Sequence, residues 1–234
     1  MVKLSRRLTR TGWSAFFSPL RMIAISGCCF FISAGRLGML RGWLYYLLVA
    51  ALSLGGSLLF FFRSPELLNE RGRLGDETAR SDKVLLLLLF AANLILLPAV
   101  AGLETGRCGQ AQLPDYWILI GIALQLIGSA VVLRAMLANP FFEGTARWQR
   151  ERGQHVVSRG PYSCIRHPGY LGMVVNTLPL PLIAGSRAAL YPALLAIVIL
   201  VIRTSLEDRM LLEHLPGYRE YARRVRYRLL PPLW

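Results

Sequence analysis

Polar side chains of this sequence cluster in two stretches, residues 139–170 and 203–234, on either side of one apolar segment. Near the end of the first stretch, His167 comes directly before Pro168. A proline favours the first turn of a helix, because its missing N–H costs no hydrogen bond there. The free backbone N–H groups at such a helix start attract anions, so this position predicts a site for a carboxylate or a phosphate.

The second stretch carries Arg203 and Glu207, which lie four residues apart and therefore on one face of a helix. Such a pair is most often a simple ion pair worth about 0.3–0.5 kcal/mol. Ionisable side chains at the edge of a membrane span are nevertheless candidates for function. If the two stretches meet, one ligand could place an anionic group on the helix start at His167 and a cationic group on Glu207.

The composition indicates a membrane protein. Of the 234 residues, 54% are hydrophobic and 17% are charged, whereas soluble domains carry about 25% charged residues. Together with a mean hydropathy of +0.45, these values exclude a disordered chain and argue against an ordinary soluble domain. The four cysteines form neither a CxxC element nor a Cys/His pattern, so we expect no metal and no disulfide framework.

Three uncharged segments are long enough to cross a membrane, which takes about 20 apolar residues. They are residues 42–62, 84–103 and 116–133, with lengths of 21, 20 and 18 residues. A fourth segment, residues 22–35, has only 14 residues between Arg21 and Arg36. It could be the core of a signal peptide, but we interpret it as a retained span because the next span follows almost at once.

The last apolar stretch predicts a tight helical hairpin. Residues 169–185 contain two prolines, a short turn follows, and residues 188–202 form the return arm. A helix of that first arm's length rises about 25 Å, which is less than a hydrocarbon core of about 30 Å, and its prolines favour a kink. A short turn forces the two ends of the hairpin together, so His167 should lie near Glu207.

These segments predict an all-α integral membrane protein with five to six transmembrane segments. Residues 1–138 form the N-terminal membrane helices, and residues 139–234 form the region that carries the site. Of the 27 Lys and Arg residues, 23 lie on the side of the two termini, which by the positive-inside rule predicts cytoplasmic termini and a cytoplasmic site at the inner membrane. The net charge of +14 thus indicates topology and affinity for anionic lipids rather than nucleic-acid binding.

The string GPYSCIRHPGYLG, the hairpin after it, and the strings RTSLED and LPGYREYARRVRYRLLP resemble the isoprenylcysteine carboxyl methyltransferase family. They are similar, more loosely, to the phospholipid N-methyltransferases. The resemblance covers residues 139–234, and the N-terminal helices match only in kind. It implies an integral membrane enzyme that binds S-adenosylmethionine at the cytoplasmic face.

The resemblance also implies roles for individual residues. Arg203 would be the catalytic residue on the substrate side. The implied cofactor-binding residues are Gln154, His155, Val156, Val157, Tyr162, His167, Pro168, Gly169, Tyr170 and Glu207. The paired acids of the family are often two glutamates, whereas this chain has Glu207 and Asp208, so the role of Asp208 stays open.

Elementary chemistry agrees with these roles. The carboxylate of S-adenosylmethionine suits a helix start, and its ammonium suits Glu207. Methyl transfer to a carboxylate needs alignment but no general base, and Arg203 could hold such an acceptor by a charge-assisted bond. An amine acceptor would need a proton acceptor, which Arg203 cannot be. We therefore expect carboxyl O-methylation of a lipid-like or prenyl-like acceptor, with N-methylation and the identity of the acceptor left open.

The partners expected on this interpretation are membrane lipids and a lipophilic small molecule or prenylated acceptor, with neither nucleic acid nor metal. Two other interpretations stay open. Some membrane reductases of sterol-like substrates carry a string similar to RHPxYxG, which would make the protein a reductase that uses NADPH. Alternatively, the basic, amphipathic tail would suit a lipid-binding membrane protein without catalytic activity.

Overall fold

The computed structural model describes residues 8–71, 80–109 and 113–234, and the secondary structure it contains over these ranges is helical. Five helices are long and apolar enough to cross a membrane. They are α1 (Arg10–Ala34), α2 (Leu40–Arg63), α4 (Arg80–Arg107), α5 (Tyr116–Ala138) and α8 (Leu190–His214). The shorter helices are α3 (Pro65–Arg71), α6 (Pro168–Val175), α7 (Pro179–Ala184) and α9 (Tyr218–Arg224). The predicted all-α integral membrane fold is confirmed.

The first span is longer than the sequence predicted, because α1 begins at Arg10 rather than near residue 22. Thr9 caps this helix by accepting a hydrogen bond of 3.2 Å from the N–H of Gly12. Arg21 therefore lies inside the helix instead of bounding it. Its guanidinium donates to the carbonyl of Ser14 at 2.8 Å, which satisfies part of its hydrogen-bonding capacity locally. A charge that is bonded within its own helix does not end the span.

The prolines break the predicted hairpin arm into α6 and α7, as its composition suggested. Pro179 starts α7, and the chain turns at Gly185, whose φ of 83° lies in the left-handed region that favours glycine. Glu104, near the end of α4, accepts hydrogen bonds from the hydroxyl of Ser186 and from the N–H of Ala188. These bonds hold the hairpin turn against α4, while the opposite ends of α6 and α8 point toward the site.

Close contact between α5 and α6 depends on glycine. A Cβ atom added to Gly128 would lie 2.3 Å from the side-chain oxygen of Asn176, and one added to Gly172 would lie 2.8 Å from the carbonyl oxygen of Gly128. Small residues allow membrane helices to approach closely in this way. The contact sets the position of α6, and hence of its first turn, relative to the chain that follows α5.

Candidate active site

The predicted site residues come together around one cavity. The cavity lies where α6 begins, α8 and α9 meet, and the loop from residue 139 to 167 folds over them. Of the predicted residues, those that line it are Gln154, His155, Val156, Val157, Tyr162, His167, Gly169, Tyr170, Arg203 and Glu207. Pro168 is buried beside the cavity as the first residue of α6. The structure thus gathers residues that are more than fifty positions apart in the chain.

One hydrogen bond between the two ends of the hairpin lies at the cavity. The hydroxyl of Tyr170, in the first turn of α6, donates to Glu207 Oε2 at 2.6 Å. Glu207 comes from the last turns of α8, and it is partly exposed toward the cavity. Within the described ranges its other oxygen accepts no hydrogen bond. A carboxylate oxygen is therefore free to receive a cationic ligand.

The start of α6 forms the opposite part of this wall. His167 is its N-cap residue, and the first bond of the helix runs from the N–H of Leu171 to the carbonyl of His167 at 3.2 Å. The N–H groups of Gly169 and Tyr170 precede that bond and have no partner in the helix. A Cβ atom on Gly169 would lie 2.4 Å from the ring of Phe142, so only glycine lets the loop pack on the helix start.

Asp208 is the centre of a buried polar cluster beside the cavity, a role the sequence left open. Its side chain is fully buried. Arg166 donates to its two oxygens at 2.9 and 3.0 Å, and Arg228 donates at 2.9 Å. Tyr218 donates at 2.9 Å, and His167 Nε2 lies 3.0 Å away. Asp208 therefore joins the helix start to the C-terminal tail, while its neighbour Glu207 faces the cavity.

The C-terminal tail packs against the same loop. The N–H of Arg166 donates to the carbonyl of Tyr227 at 2.9 Å, and the N–H of His167 donates to that of Arg228 at 3.0 Å. The guanidinium of Arg166 also donates to the carbonyl of Val225 at 3.0 Å. The sequence predicted an amphipathic tail but not these contacts, because backbone hydrogen bonds between distant segments leave no pattern in the sequence.

Arg203 lines the cavity, but its positive charge is already paired with the carboxylate of Asp82. Its Nε donates to Asp82 Oδ1 at 2.7 Å and its Nη2 donates to Asp82 Oδ2 at 3.2 Å. The same Nη2 donates to the carbonyl of Gly144 at 2.7 Å, and Asp82 accepts a further bond of 2.9 Å from the N–H of Ala146. The pair therefore also anchors the loop. The guanidinium carbon of Arg203 lies 5.6 Å from the ring centre of Tyr170.

Asp82 is the functional candidate that the sequence analysis missed. It precedes the predicted span of residues 84–103, and the structure places it in the first turn of α4, where it is buried. An acid two residues before a long apolar segment was the available signal, because buried charges in such places are paired.

Hydrogen bonds within the loop of residues 139–167 hold the remaining wall of the cavity in place. Glu143 accepts from the guanidinium of Arg147 at 3.0 and 3.2 Å, and Arg147 also donates to Glu151 at 2.6 Å. The bond from Arg147 lowers the pKa of Glu151 below its ordinary value. Gln149 is buried, and its backbone N–H donates to the side chain of Gln154 at 2.7 Å. Gln154 thus holds the loop as well as lining the cavity.

Three buried tyrosines complete the site. Burial raises the pKa of Tyr162 and Tyr221, and burial beside Asp208 raises the pKa of Tyr218. All three hydroxyls therefore stay protonated at neutral pH. Tyr221 donates to the carbonyl of Tyr162 at 2.7 Å, which fixes α9 against the turn before α6.

No group of three or more His, Cys, Asp or Glu side chains suited to a metal ion occurs in residues 8–71, 80–109 and 113–234. The site is instead a pairing of one carboxylate with one helix start. This arrangement suits a bound amino-acid group. The carboxylate of the protein binds the ammonium of the ligand, and the N–H groups bind the carboxylate of the ligand.

Comparison with known proteins supports the resemblance found in the sequence. Residues 116–216 match the model of the phospholipid methyltransferase family, a stretch that runs from the start of α5 to just beyond the end of α8. Comparison with curated proteins gives no significant match. The matched stretch includes the loop, the hairpin, and both Tyr170 and Glu207. The part of the chain that forms most of the cavity is therefore similar to the phospholipid methyltransferases, a family shared with the isoprenylcysteine carboxyl methyltransferases, and this similarity supports a membrane methyltransferase.

Proposed function

We propose that the protein is a methyltransferase that uses S-adenosylmethionine and acts at the membrane surface on a lipid-like acceptor. The observation that carries the proposal is the hydrogen bond of 2.6 Å from Tyr170 to Glu207. It joins a carboxylate with a free oxygen to the first turn of α6, inside the cavity of the matched region.

The residues of the cavity fit the cofactor. Glu207 would hold its ammonium, and the N–H groups of Gly169 and Tyr170 would hold its carboxylate. Gln154, His155, Val156, Val157 and Tyr162 line the remaining wall and would contact the adenosine part. When bound, the cofactor supplies a methyl group activated by its sulfonium. The protein then has to align the acceptor with that methyl group and exclude water.

Cofactor binding requires the loop to move. The cavity has a volume of about 100 Å³, whereas sites that enclose ligands of this size measure about 300–1,000 Å³. The ring of Phe142 packs on Gly169 and closes the space over the helix start. Outward movement of this ring and the loop beside it would open the N–H groups to the cofactor.

Carboxyl O-methylation is our first candidate for the reaction. A carboxylate acceptor is already a nucleophile, and Arg203 lines the cavity with a guanidinium that could orient it. Asp82 favours a second candidate, because it already neutralises Arg203 through two hydrogen bonds. A neutral or amine acceptor, such as a phospholipid amine, would not need a free cation, and the family match also favours it.

Binding of S-adenosylhomocysteine to the purified protein in detergent, measured by calorimetry, tests the cofactor. We expect saturable binding that weakens in Glu207→Gln and in His167→Ala. Glu213→Gln is the matched control, because Glu213 lies on the same helix but pairs at the surface with Arg209 at 2.9 Å. No binding by folded wild-type protein would refute the proposal, and oxidation of NADPH with an enone substrate would then support the reductase interpretation.

The two acceptor classes are separated by the stability of the product. The protein is incubated with the cofactor labelled in its methyl group, and with either a prenylated cysteine or phosphatidylethanolamine. A methyl ester releases labelled methanol in alkali, whereas a methylated amine keeps its label. Release of labelled methanol from the prenylcysteine product supports O-methylation, and a labelled phospholipid product that gives no methanol in alkali supports N-methylation.

A further inference from the structure

A second concave surface lies on the lipid-facing side of α1 and α2. It is an apolar groove of about 680 Å³, which we call the α1–α2 groove. Its walls include Ile23, Phe31, Ile32, Trp43 and Leu47, and Arg36 lies at one end. Several of these apolar side chains are strongly exposed, with Ile32 at 72% and Leu47 at 63%. Such a surface in a membrane protein is covered by hydrocarbon chains.

The groove is remote from the candidate active site. Its basic end lies against Arg107 at the end of α4, whereas Asp82, which anchors the active-site loop, lies at the start of that helix. Twenty-five helical positions separate the two residues, a rise of roughly 37 Å. The groove and the cavity therefore open at opposite ends of the helix bundle.

Two arginines, Arg36 and Arg107, lie at this end of the groove. Arg36 donates to the carbonyl of Thr105 at 3.3 Å, and its Nε lies 3.0 Å from the sulfur of Met39. Arg107 donates to the carbonyl of Ile32 at 3.1 Å. Neither forms an ion pair with any residue of the described ranges. Arg41, which lies five residues after Arg36, does have such a partner in Asp115.

The two guanidinium groups lie close to the same turn. Arg107 passes over Gly35, where an added Cβ atom would lie 3.0 Å from its Nε, and Arg36 is the next residue. Both side chains are exposed, and both have donors left over after their backbone contacts. Arginine pairs well with phosphate, because its planar fork of N–H groups matches two phosphate oxygens.

We propose that the α1–α2 groove binds a glycerophospholipid with an anionic headgroup. One acyl chain lies between α1 and α2, against Phe31 and Leu47, and the phosphate is held by Arg36 and Arg107. The charge complementarity at the groove's end selects the headgroup, while the apolar walls accept the chain. This site is independent of the proposed methyl transfer and does not need the cofactor.

The experiment compares retention of two lipids with identical acyl chains. The protein in detergent is mixed with equal amounts of phosphatidylglycerol and phosphatidylcholine, and bound lipid is counted by native mass spectrometry. We expect the wild type to prefer phosphatidylglycerol. Arg36→Gln/Arg107→Gln should reduce this preference by roughly tenfold, the effect of losing one charge-assisted hydrogen bond. Arg187→Gln, which removes an exposed charge outside the groove, is the matched control and should keep the preference.

A second variant tests the acyl-chain part without touching the arginines. A Cβ atom on Gly27 would lie 3.7 Å from the ring of Tyr46, which is ordinary contact, so Gly27→Leu can fold and would fill the groove. It should reduce the retention of both lipids. Equal retention of the two lipids by the wild type, or full retention by both variants, would overturn the proposal. A dimer mass without lipid would overturn it as well, because a second copy of the chain would then cover the groove.

Discussion

Removing the charge of the adjacent acids Glu207 and Asp208 should have different effects. The change at Asp208 should lower the stability of the fold, and the change at Glu207 should weaken ligand binding. Asp208 is fully buried and balances the guanidinium groups of Arg166 and Arg228. Asp208→Asn leaves both arginines uncompensated, and breaking a buried ion pair from one side costs about 3–5 kcal/mol. Asparagine also turns one acceptor oxygen into a donor that faces the N–H groups of the arginines. We therefore expect Asp208→Asn to lower the free energy of unfolding by about this amount.

Glu207→Gln should cost far less stability. Glu207 is partly exposed, and one hydrogen bond from Tyr170 holds it. Glutamine keeps an acceptor for that bond, so the expected loss is about 1 kcal/mol or less. This variant should instead lose S-adenosylhomocysteine binding, because the carboxylate that faces the cavity is gone. We thus expect Asp208 to stabilise the fold and Glu207 to bind the ligand.

Unfolding in mixed micelles of detergent and SDS measures both variants on one scale. Adding Arg228→Gln to Asp208→Asn should recover part of the loss, because one uncompensated charge is removed with its partner. A loss below about 1 kcal/mol for Asp208→Asn would refute the reasoning, since this is the range of a single neutral hydrogen bond. A larger loss for Glu207→Gln than for Asp208→Asn would refute it too.

Three further predictions concern the anchoring contacts. Asp82→Asn should cost about 3–5 kcal/mol in the same unfolding assay, because it leaves Arg203 buried and unpaired; a change within error would contradict the buried pair. Gly172→Ala should cost about 1–3 kcal/mol by forcing α5 and α6 apart, whereas the control Gly55→Ala, where an added methyl group meets nothing within 4 Å, should not destabilise. Tyr218→Phe removes a bond to a carboxylate, worth about 1.5–3 kcal/mol. Because the pKa of Tyr218 is raised above its unfolded value of about 10, this contribution is complete below about pH 10 and is lost only as the pH rises toward the folded pKa. The loss should therefore be equal at about pH 7 and about pH 9, and a loss that shrinks by about pH 9 would contradict the assignment.

The membrane segments and the hairpin were predicted from local features of the sequence. Uncharged length identifies spans because the hydrocarbon core rejects charges, and prolines mark breaks because they cannot donate a backbone bond. The same signals predicted that the start of α6 lies near Glu207, because a short hairpin brings its own ends together; the bond from Tyr170 to Glu207 was seen only in the structure. These features depend on residues that are near each other in the chain or joined by one turn.

Contacts between distant segments could not be predicted in this way. Asp82 and Arg203 are 121 positions apart, and nothing in either stretch specifies the other. The same holds for Arg228, whose bond to Asp208 depends on how the tail returns over α8. The start of α1 was missed for a different reason. A charge inside a helix was treated as its boundary, although Arg21 donates to the carbonyl of Ser14 two turns earlier in the same helix.

Methyl transfer itself tests the central claim most directly. Purified wild-type protein and Glu207→Gln are incubated in lipid vesicles with S-adenosylmethionine labelled in its methyl group, together with the prenylated cysteine. The account predicts label in the lipid-soluble fraction for the wild type, a large loss for Glu207→Gln, and an unchanged rate for Glu213→Gln. Equal labelling by wild type and Glu207→Gln, or no labelling of any lipid by a wild type that is folded, would contradict it.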